Sequence, residues 1–198
     1  GATAEIFKRC LTELREQKVE NLGEINPFIM ERVDVKRLRA HHAIILVKNL
    51  TGLRNLYELV SIAHLNYFFR VPRIPKTEFN RLREGLLLGT ACEAGELYQA
   101  VLDNDGPEVI ENLVNYYDYL EIQPLCNNEF MVRNQTVPDM EALKDINRRI
   151  VELGEQYHKP VVATCDVHFM DPEDGIYRKI ILKGKGFDDA DQQAPLYF

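Results

Sequence analysis

Apolar positions along this 198-residue chain follow two different rhythms. Over residues 3 to 18 they fall three and four apart, at Ile6, Phe7, Cys10, Leu11 and Leu14, which is the spacing of one helix face; Thr3 can cap its start. From 19 to 40 the period is lost and charge takes over, so that Val33 to Arg39, rich in Lys and Arg, reads as a connector. From His42 onward short continuous apolar runs alternate with helical spacing. The runs are Ala43 to Val47, Leu86 to Gly89, Tyr119 to Gln123 and Val161 to Thr164. Each has the length and continuity of a strand buried on both faces. Asn49 to Gly52 is a turn. Leu53, Leu56, Val60 and Ala63 then mark a helix, a short one follows Lys76 beyond the loop bounded by Pro72 and Pro75, and others span Glu93 to Leu102 and Pro107 to about Tyr117. Residues 125 to 137 read as an irregular loop. The clearest helix has Leu143, Ile146, Ile150, Leu153 and Tyr157 on one face and is stopped by Pro160. A last helix starts at Asp171-Pro172-Glu173-Asp174, acidic in its first turn as the helix dipole favours. The tail after Lys183 is expected to be loose.

Four short strands with helices between them predict an α/β fold of parallel strands alternating with helices, either an open sheet or part of a barrel. The length suits one domain with its own core. Composition changes the picture in three ways. At 45% hydrophobic and 28% charged residues the chain is an ordinary soluble one, with no apolar run near the roughly 18 residues that cross a membrane and no charged-then-apolar leader. The net charge of −7 argues against a main nucleic-acid grip, which needs clustered Lys and Arg. Cys10, Cys92, Cys126 and Cys165 are scattered without a CxxC pair, which suits free thiols in a reducing cytoplasm.

Functional side chains of parallel α/β folds sit at the C-terminal ends of strands. After Val161 to Thr164 come Cys165, Asp166, Val167 and His168. On an extended chain Asp166 and His168 point to the same side and can share a borderline metal such as zinc, manganese or iron; a solvated Asp and a backbone-bonded His give the same spacing. Cys92 follows the Leu86 run and reads as a small buried core residue; a nucleophile with a His as base is possible in principle, with no neighbouring motif for it. His42 precedes the first strand, with His41 as its solvated neighbour. His64 lies on a helix among apolar residues, and His158 ends a helix, where a cation caps favourably. Glu121 sits inside an apolar run and must face a cavity or a partner, because an unpaired buried carboxylate is costly. Tyr116, Tyr117, Tyr119, Phe68 and Phe69 read as packing residues, basic residues being too sparse around them for base stacking. No P-loop, GxGxxG, HExxH or GxSxG motif is present.

Five blocks in order carry a resemblance: His42-Ala-Ile-Ile-Leu-Val-Lys-Asn-Leu-Thr-Gly-Leu-Arg-Asn-Leu, Arg70-Val-Pro-Arg-Ile-Pro, Glu84-Gly-Leu-Leu-Leu-Gly-Thr-Ala-Cys-Glu-Ala-Gly-Glu-Leu, Tyr117-Asp-Tyr-Leu-Glu-Ile-Gln-Pro and Lys159-Pro-Val-Val-Ala-Thr-Cys-Asp-Val-His-Phe. Together they resemble the PHP (polymerase and histidinol phosphatase) domain of bacterial replicative polymerases, of the PolC type, over roughly residues 40 to 183. The resemblance implies the C-terminal portion of a distorted (βα)7 barrel. It implies that residues 1–24 are the terminal helix of an inserted exonuclease domain, 25–40 a connector, 41–183 the C-terminal part of the PHP domain and 184–198 a loose tail. By resemblance His42, Cys92, Asp166 and His168 match metal-ligand positions, for zinc, manganese or iron, while the family's earlier ligands precede the exonuclease insertion. The implied parent is a cytoplasmic DNA-directed DNA polymerase, magnesium-dependent, with 3′ to 5′ proofreading. This segment would be a scaffold with a partial metal site, inactive alone. It would pack on the first PHP half and the polymerase core, touch DNA little, and could self-associate. Two other readings remain open: a metal-dependent phosphoesterase of the same superfamily, and a metal-free interaction module.

Overall fold

The computed structural model of the protein describes residues 2–30, 32–187 and 196. In chain order its elements are α1 (Ala2–Glu16), α2 (Leu22–Met30), β1 (Ile44–Val47), α3 (Leu50–Leu65), α4 (Lys76–Arg81), β2 (Leu86–Gly89), α5 (Glu96–Leu102), α6 (Pro107–Tyr116), β3 (Leu120–Ile122), α7 (Phe130–Arg133), α8 (Met140–Tyr157), β4 (Val161–Ala163) and α9 (Gly175–Gly184). This mixture of helix and strand is that of an α/β chain, and each expected strand is present. Of the expected loose tail, residues 188–195 and 197–198 lie outside the described residues.

The chain divides into two compact units. One comprises residues 1–40 and 59–79, the other residues 41–58 and 80–198. The break at 40/41 falls where the hydrophobic pattern changes character.

In the smaller unit α1 buries none of its residues, and its apolar stripe is open, with Ile6 64% and Phe7 63% exposed. Helix α2 stands where the sequence reads as connector. At its start the Glu24 carboxylate accepts from the Glu20 backbone N–H at 2.8 Å and from the Asn21 side-chain amide at 2.7 Å, holding the entering chain against the first turn. The buried positions of this unit include Val19, Leu59, Ala63 and Phe79.

In the larger unit the expected all-parallel pairing is corrected. Strands β3 and β4 are parallel, with Leu120 opposite Val161, but β1 and β2 run antiparallel, from Ile44 opposite Gly89 to Val47 opposite Leu86. One parallel bridge, Gly89 to Tyr119, links the two pairs. The antiparallel register is set at its open end by two glycines. A Cβ on Gly52 would lie 1.9 Å from the Gly85 carbonyl oxygen, and Gly85 itself adopts φ +76°. Only residues without side chains permit that approach. Around it the Lys48 N–H donates to the Gly85 carbonyl at 2.9 Å, Asn49 Oδ1 caps the Gly52 N–H at 3.0 Å, and Asn55 Nδ2 donates to the Glu84 carbonyl at 2.9 Å.

Continuous apolar runs also misstate the burial of the outer strands. Strands β2 and β3 are buried as expected, whereas Ile44, Leu46 and Val47 of β1 are 40%, 48% and 39% exposed and Val162 of β4 is 38% exposed. Among the described residues β1 and β4 end their pairs as edges, with a neighbouring strand on one side only. The core lies between β3 and helices α5, α6 and α8, where Leu97, Val114, Leu120, Leu143, Ile150 and Leu153 are fully buried. Each such side chain stabilises the fold by about 1.5–3 kcal/mol relative to exposure. Helix α8 is capped at its start by Asp139, whose carboxylate accepts from the Ala142 N–H at 2.9 Å, and ends at His158 in the left-handed conformation. Among the described residues no helix is long and apolar enough to cross a membrane.

Candidate metal centre

The parallel contacts of β2, β3 and β4 carry their C-terminal ends to one edge of the larger unit. Beyond β2 the chain turns at Ala91, a non-glycine residue at φ 59°, and again at Gly95, whose N–H donates to the Cys92 carbonyl at 2.8 Å. A Cβ on Gly95 would stand 2.0 Å from the Thr90 carbonyl, so the tight loop needs glycine there. Beyond β4 the chain turns at Asp166, φ 50°, a conformation that Asp tolerates better than most residues.

These two turns bring Cys92, Glu93 and Asp166 together. One ligand atom from each lies within 4.8 Å of the others; Cys92 is buried, and the two carboxylates are half-buried. The His42 Nδ1 lies 3.2 Å from Cys92 Sγ, held there because the His42 N–H donates to the Ala94 carbonyl at 3.0 Å. Of the four residues predicted as ligands, Cys92 and Asp166 lie in this cluster, and His42 touches it through Cys92. His168 does not join them: it is exposed, and its Nδ1 lies 2.6 Å from the carbonyl oxygen of Asp166. The expected alternation of Asp166 and His168 fails because the positive φ of Asp166 takes the chain out of extended geometry.

Glu93 was not among the predicted ligands, because residues 93 to 95 read as the start of a helix. The helix begins at Glu96, with Gly95 as its N-cap. A glycine followed by an acidic residue is the start signal that places Glu93 in the preceding turn.

Glu121 is 5% exposed and binds the turns from below. One carboxylate oxygen accepts from the Ala91 N–H at 3.2 Å and the other from the Thr164 hydroxyl at 2.9 Å, while the Glu121 N–H donates to Thr90 Oγ1 at 2.8 Å. It therefore joins β3 to the ends of both β2 and β4, as a support of the ligand turns.

Burial pushes the Cys92 thiol up to about 12; the Ala94 backbone N–H opposes this, and the charges of Glu93 and Asp166 add to it. The thiol is protonated at neutral pH unless a cation replaces its proton. The donor set fits such an ion. A thiol, two carboxylates and an adjacent imidazole are ligands for zinc and other borderline metals. Tetrahedral zinc spaces its ligand atoms roughly 3.5 Å apart, and these three already lie within 4.8 Å of one another.

A profile of the PHP domain matches residues 5–124, more than half of the chain, and the chain belongs to that family. The match takes in His42, Cys92 and Glu121 and stops before Asp166. Over all 198 residues the chain is 54% identical to the DNA polymerase III PolC-type of Caldanaerobacter subterraneus subsp. tengcongensis and 50% identical to that of Clostridium perfringens. Over 185 residues, 93% of the chain, it is 41% identical to the DNA polymerase III PolC-type of Bacillus subtilis. The chain spans 14% of the length of the first two proteins and 13% of the third.

Proposed function

We propose that this chain is a segment of a replicative DNA polymerase of the PolC type, serving there as a metal-supported scaffold. The observation that carries the reading is the unbroken identity of 50% to 54% over all 198 residues with proteins about seven times longer. The intact enzyme extends a primer from deoxynucleoside triphosphates with magnesium and proofreads it 3′ to 5′ in the cytoplasm; this segment holds neither centre. Residues 1–24 are the end of an inserted exonuclease domain, 25–40 a connector and 41–183 the later part of the PHP domain; the unit boundary at 40/41 is in its favour, while residues 59–79 join the first unit and the family match starts at residue 5. The four strands belong to a distorted (βα)7 barrel. The exposed β1 and β4 are surfaces that the first PHP half and the polymerase core would cover, and on which the isolated chain would self-associate.

His42, Cys92, Glu93 and Asp166 hold the metal, with His168 brought in when residues 165–168 reorder. A bound divalent ion would supply charge neutralisation among Glu93, Asp166 and the Cys92 thiolate. The chain's own part is to hold the donors: Glu121 fixes the Ala91 and Thr164 turns, and the Ala94 carbonyl fixes His42.

Two measurements test the reading. The coding frame should continue open on both sides for several times the segment's length; a start and a stop codon immediately flanking it would overturn the polymerase assignment. Elemental mass spectrometry of protein purified without chelator should find near-stoichiometric zinc, manganese or iron. That metal should be lost in a Cys92→Ala, Asp166→Ala double variant. Equal metal in both proteins would overturn the ligand set.

A further inference from the structure

The net charge of −7 conceals a segregation. The smaller unit holds 11 Lys and Arg against 8 Asp and Glu, a formal +3, which leaves −10 for the larger. Within the smaller unit the excess is concentrated in residues 32–39 and 70–76, which carry seven Lys and Arg and a single acidic residue, Asp34.

The fold gathers these two stretches around one aromatic ring. The guanidinium carbons of Arg37, Arg70 and Arg73 lie 5.4, 5.6 and 5.6 Å from the centroid of Phe69, in range for cation–π attraction. No two of them can then be further apart than twice 5.6 Å. Each is held differently. Arg73 donates to the Leu38 carbonyl, tying the stretches together. Arg37 pairs with Asp34 at 3.3 Å, and the other Asp34 carboxylate oxygen accepts from the Lys36 N–H at 3.1 Å. Arg70 sits at the tip of a fold-back in which the Phe69 N–H donates to the Val71 carbonyl at 3.1 Å; it has φ 63° and no carboxylate partner among the described residues. Arg70, at its exposed tip, is thereby open to an anion. Phe68, next to Phe69 in the chain, is 52% exposed, with its ring centroid 6.4 Å from that of His64. Clustered arginines together with an exposed aromatic ring are the combination that holds unpaired nucleotides, by phosphate neutralisation and by stacking on a base.

We propose that the Arg37–Arg70–Arg73 cluster around Phe69, with Phe68 beside it, is a binding site for single-stranded DNA. Arg37 and Arg70 contact phosphates, Arg73 holds the site's two strands of chain together, and Phe68 takes a base. The site lies wholly in the smaller unit and stands whether or not a metal occupies the larger one.

Fluorescence anisotropy of the 198-residue chain with labelled oligothymidylate tests it, at several salt concentrations. Binding should weaken at least tenfold in Arg37→Gln/Arg70→Gln, and the slope of log affinity against log salt should flatten by about 1.4, at about 0.7 per lost phosphate contact. Phe68→Ala should weaken single-strand binding about tenfold and leave duplex binding unaltered. Arg148→Gln/Arg149→Gln, on α8 of the acidic unit, should bind like the parent. Circular dichroism checks that each variant is folded, and Arg70→Gln alone, at an exposed tip, serves if the double variant is not. The proposal is overturned by absence of oligothymidylate binding at low salt, by a salt slope unchanged in the Arg variants, by duplex DNA binding equally with no effect of Phe68→Ala, or by equal competition from polyglutamate.

Discussion

Replacing Glu121 with Ala removes the one carboxylate that reaches two ligand turns. The Ala91 N–H it accepts from is buried and has no water to turn to; leaving such a donor unpaired costs about 2 kcal/mol. The Thr164 hydroxyl is half-buried and can rotate toward solvent, so its lost bond costs less, about 0.5–1 kcal/mol. The void left by the shortened side chain adds about 1 kcal/mol. The total expected is about 3–4 kcal/mol, or a Tm lowered by about 10 °C at 2–4 °C per kcal/mol for a chain of this size. Glu121→Gln keeps the volume and one acceptor and should lose about half as much. Urea unfolding followed by far-ultraviolet circular dichroism measures the loss. Iodoacetamide labelling of Cys92 reports the turn itself, since Ala91 is held at φ 59° against its preference. Cys92 should label at least tenfold faster in the Ala variant, a ratio that RT ln 10, about 1.4 kcal/mol of local opening, already supplies. A loss below about 1 kcal/mol with Cys92 still protected would refute the idea that Glu121 holds the turn.

Three further outcomes are expected. Gly52→Ala should destabilise by about 3 kcal/mol or more, because its Cβ meets backbone that cannot swing aside; a chemical-denaturation midpoint matching the parent's would exclude that close contact. Burial raises Cys92, Tyr98 and Tyr119 to about 12, so the fold favours their protonated forms. Stability should then be full below about pH 9 and fall as the pH rises toward about 12, with tyrosinate absorbance appearing together with loss of helix signal. His158→Gly should stabilise by about 0.5–1 kcal/mol, since His158 occupies the left-handed C-cap at φ 54°, ψ 39°; thermal melts would show it, and an unchanged or lower Tm would mean that the imidazole contributes to the cap.

The positions of the strands and of helices α3 to α6 and α8 were legible because each rests on local periodicity and on punctuation by Gly, Pro and Asp. Strand direction was not. β1 and β2 are joined through nearly forty residues, a connection long enough to return in either sense, and the deciding contact is between glycines that no hydrophobic pattern records. Exposure of β1 was equally hidden: Ile44, Leu46 and Val47 look like core until their neighbours are known. At the candidate site, Cys92 and Asp166 could be chosen from their places after apolar runs. Glu93 was masked by a helix start read three residues early, and the separation of His168 from the cluster was hidden because a single left-handed residue at Asp166 breaks the alternation. Phe69 read as a packing residue because its arginine neighbours lie thirty positions away in sequence, or just downstream.

The contact between Gly52 and Gly85 makes residues 53–84 an excursion that departs from and returns to one point. Asn55 with Glu84, and Arg81 with Glu58 at 3.2 Å, close its neck further. Material can be added to such an excursion without disturbing the strands at its base, because each doubling of a closed loop costs only about 0.6 kcal/mol. The basic cluster borrows one of its stretches from inside this excursion, while every candidate metal ligand lies outside it. Variation in the length or content of residues 59–79 can therefore remake the arginine cluster around Phe69 while leaving the positions of His42, Cys92, Glu93 and Asp166 unaltered.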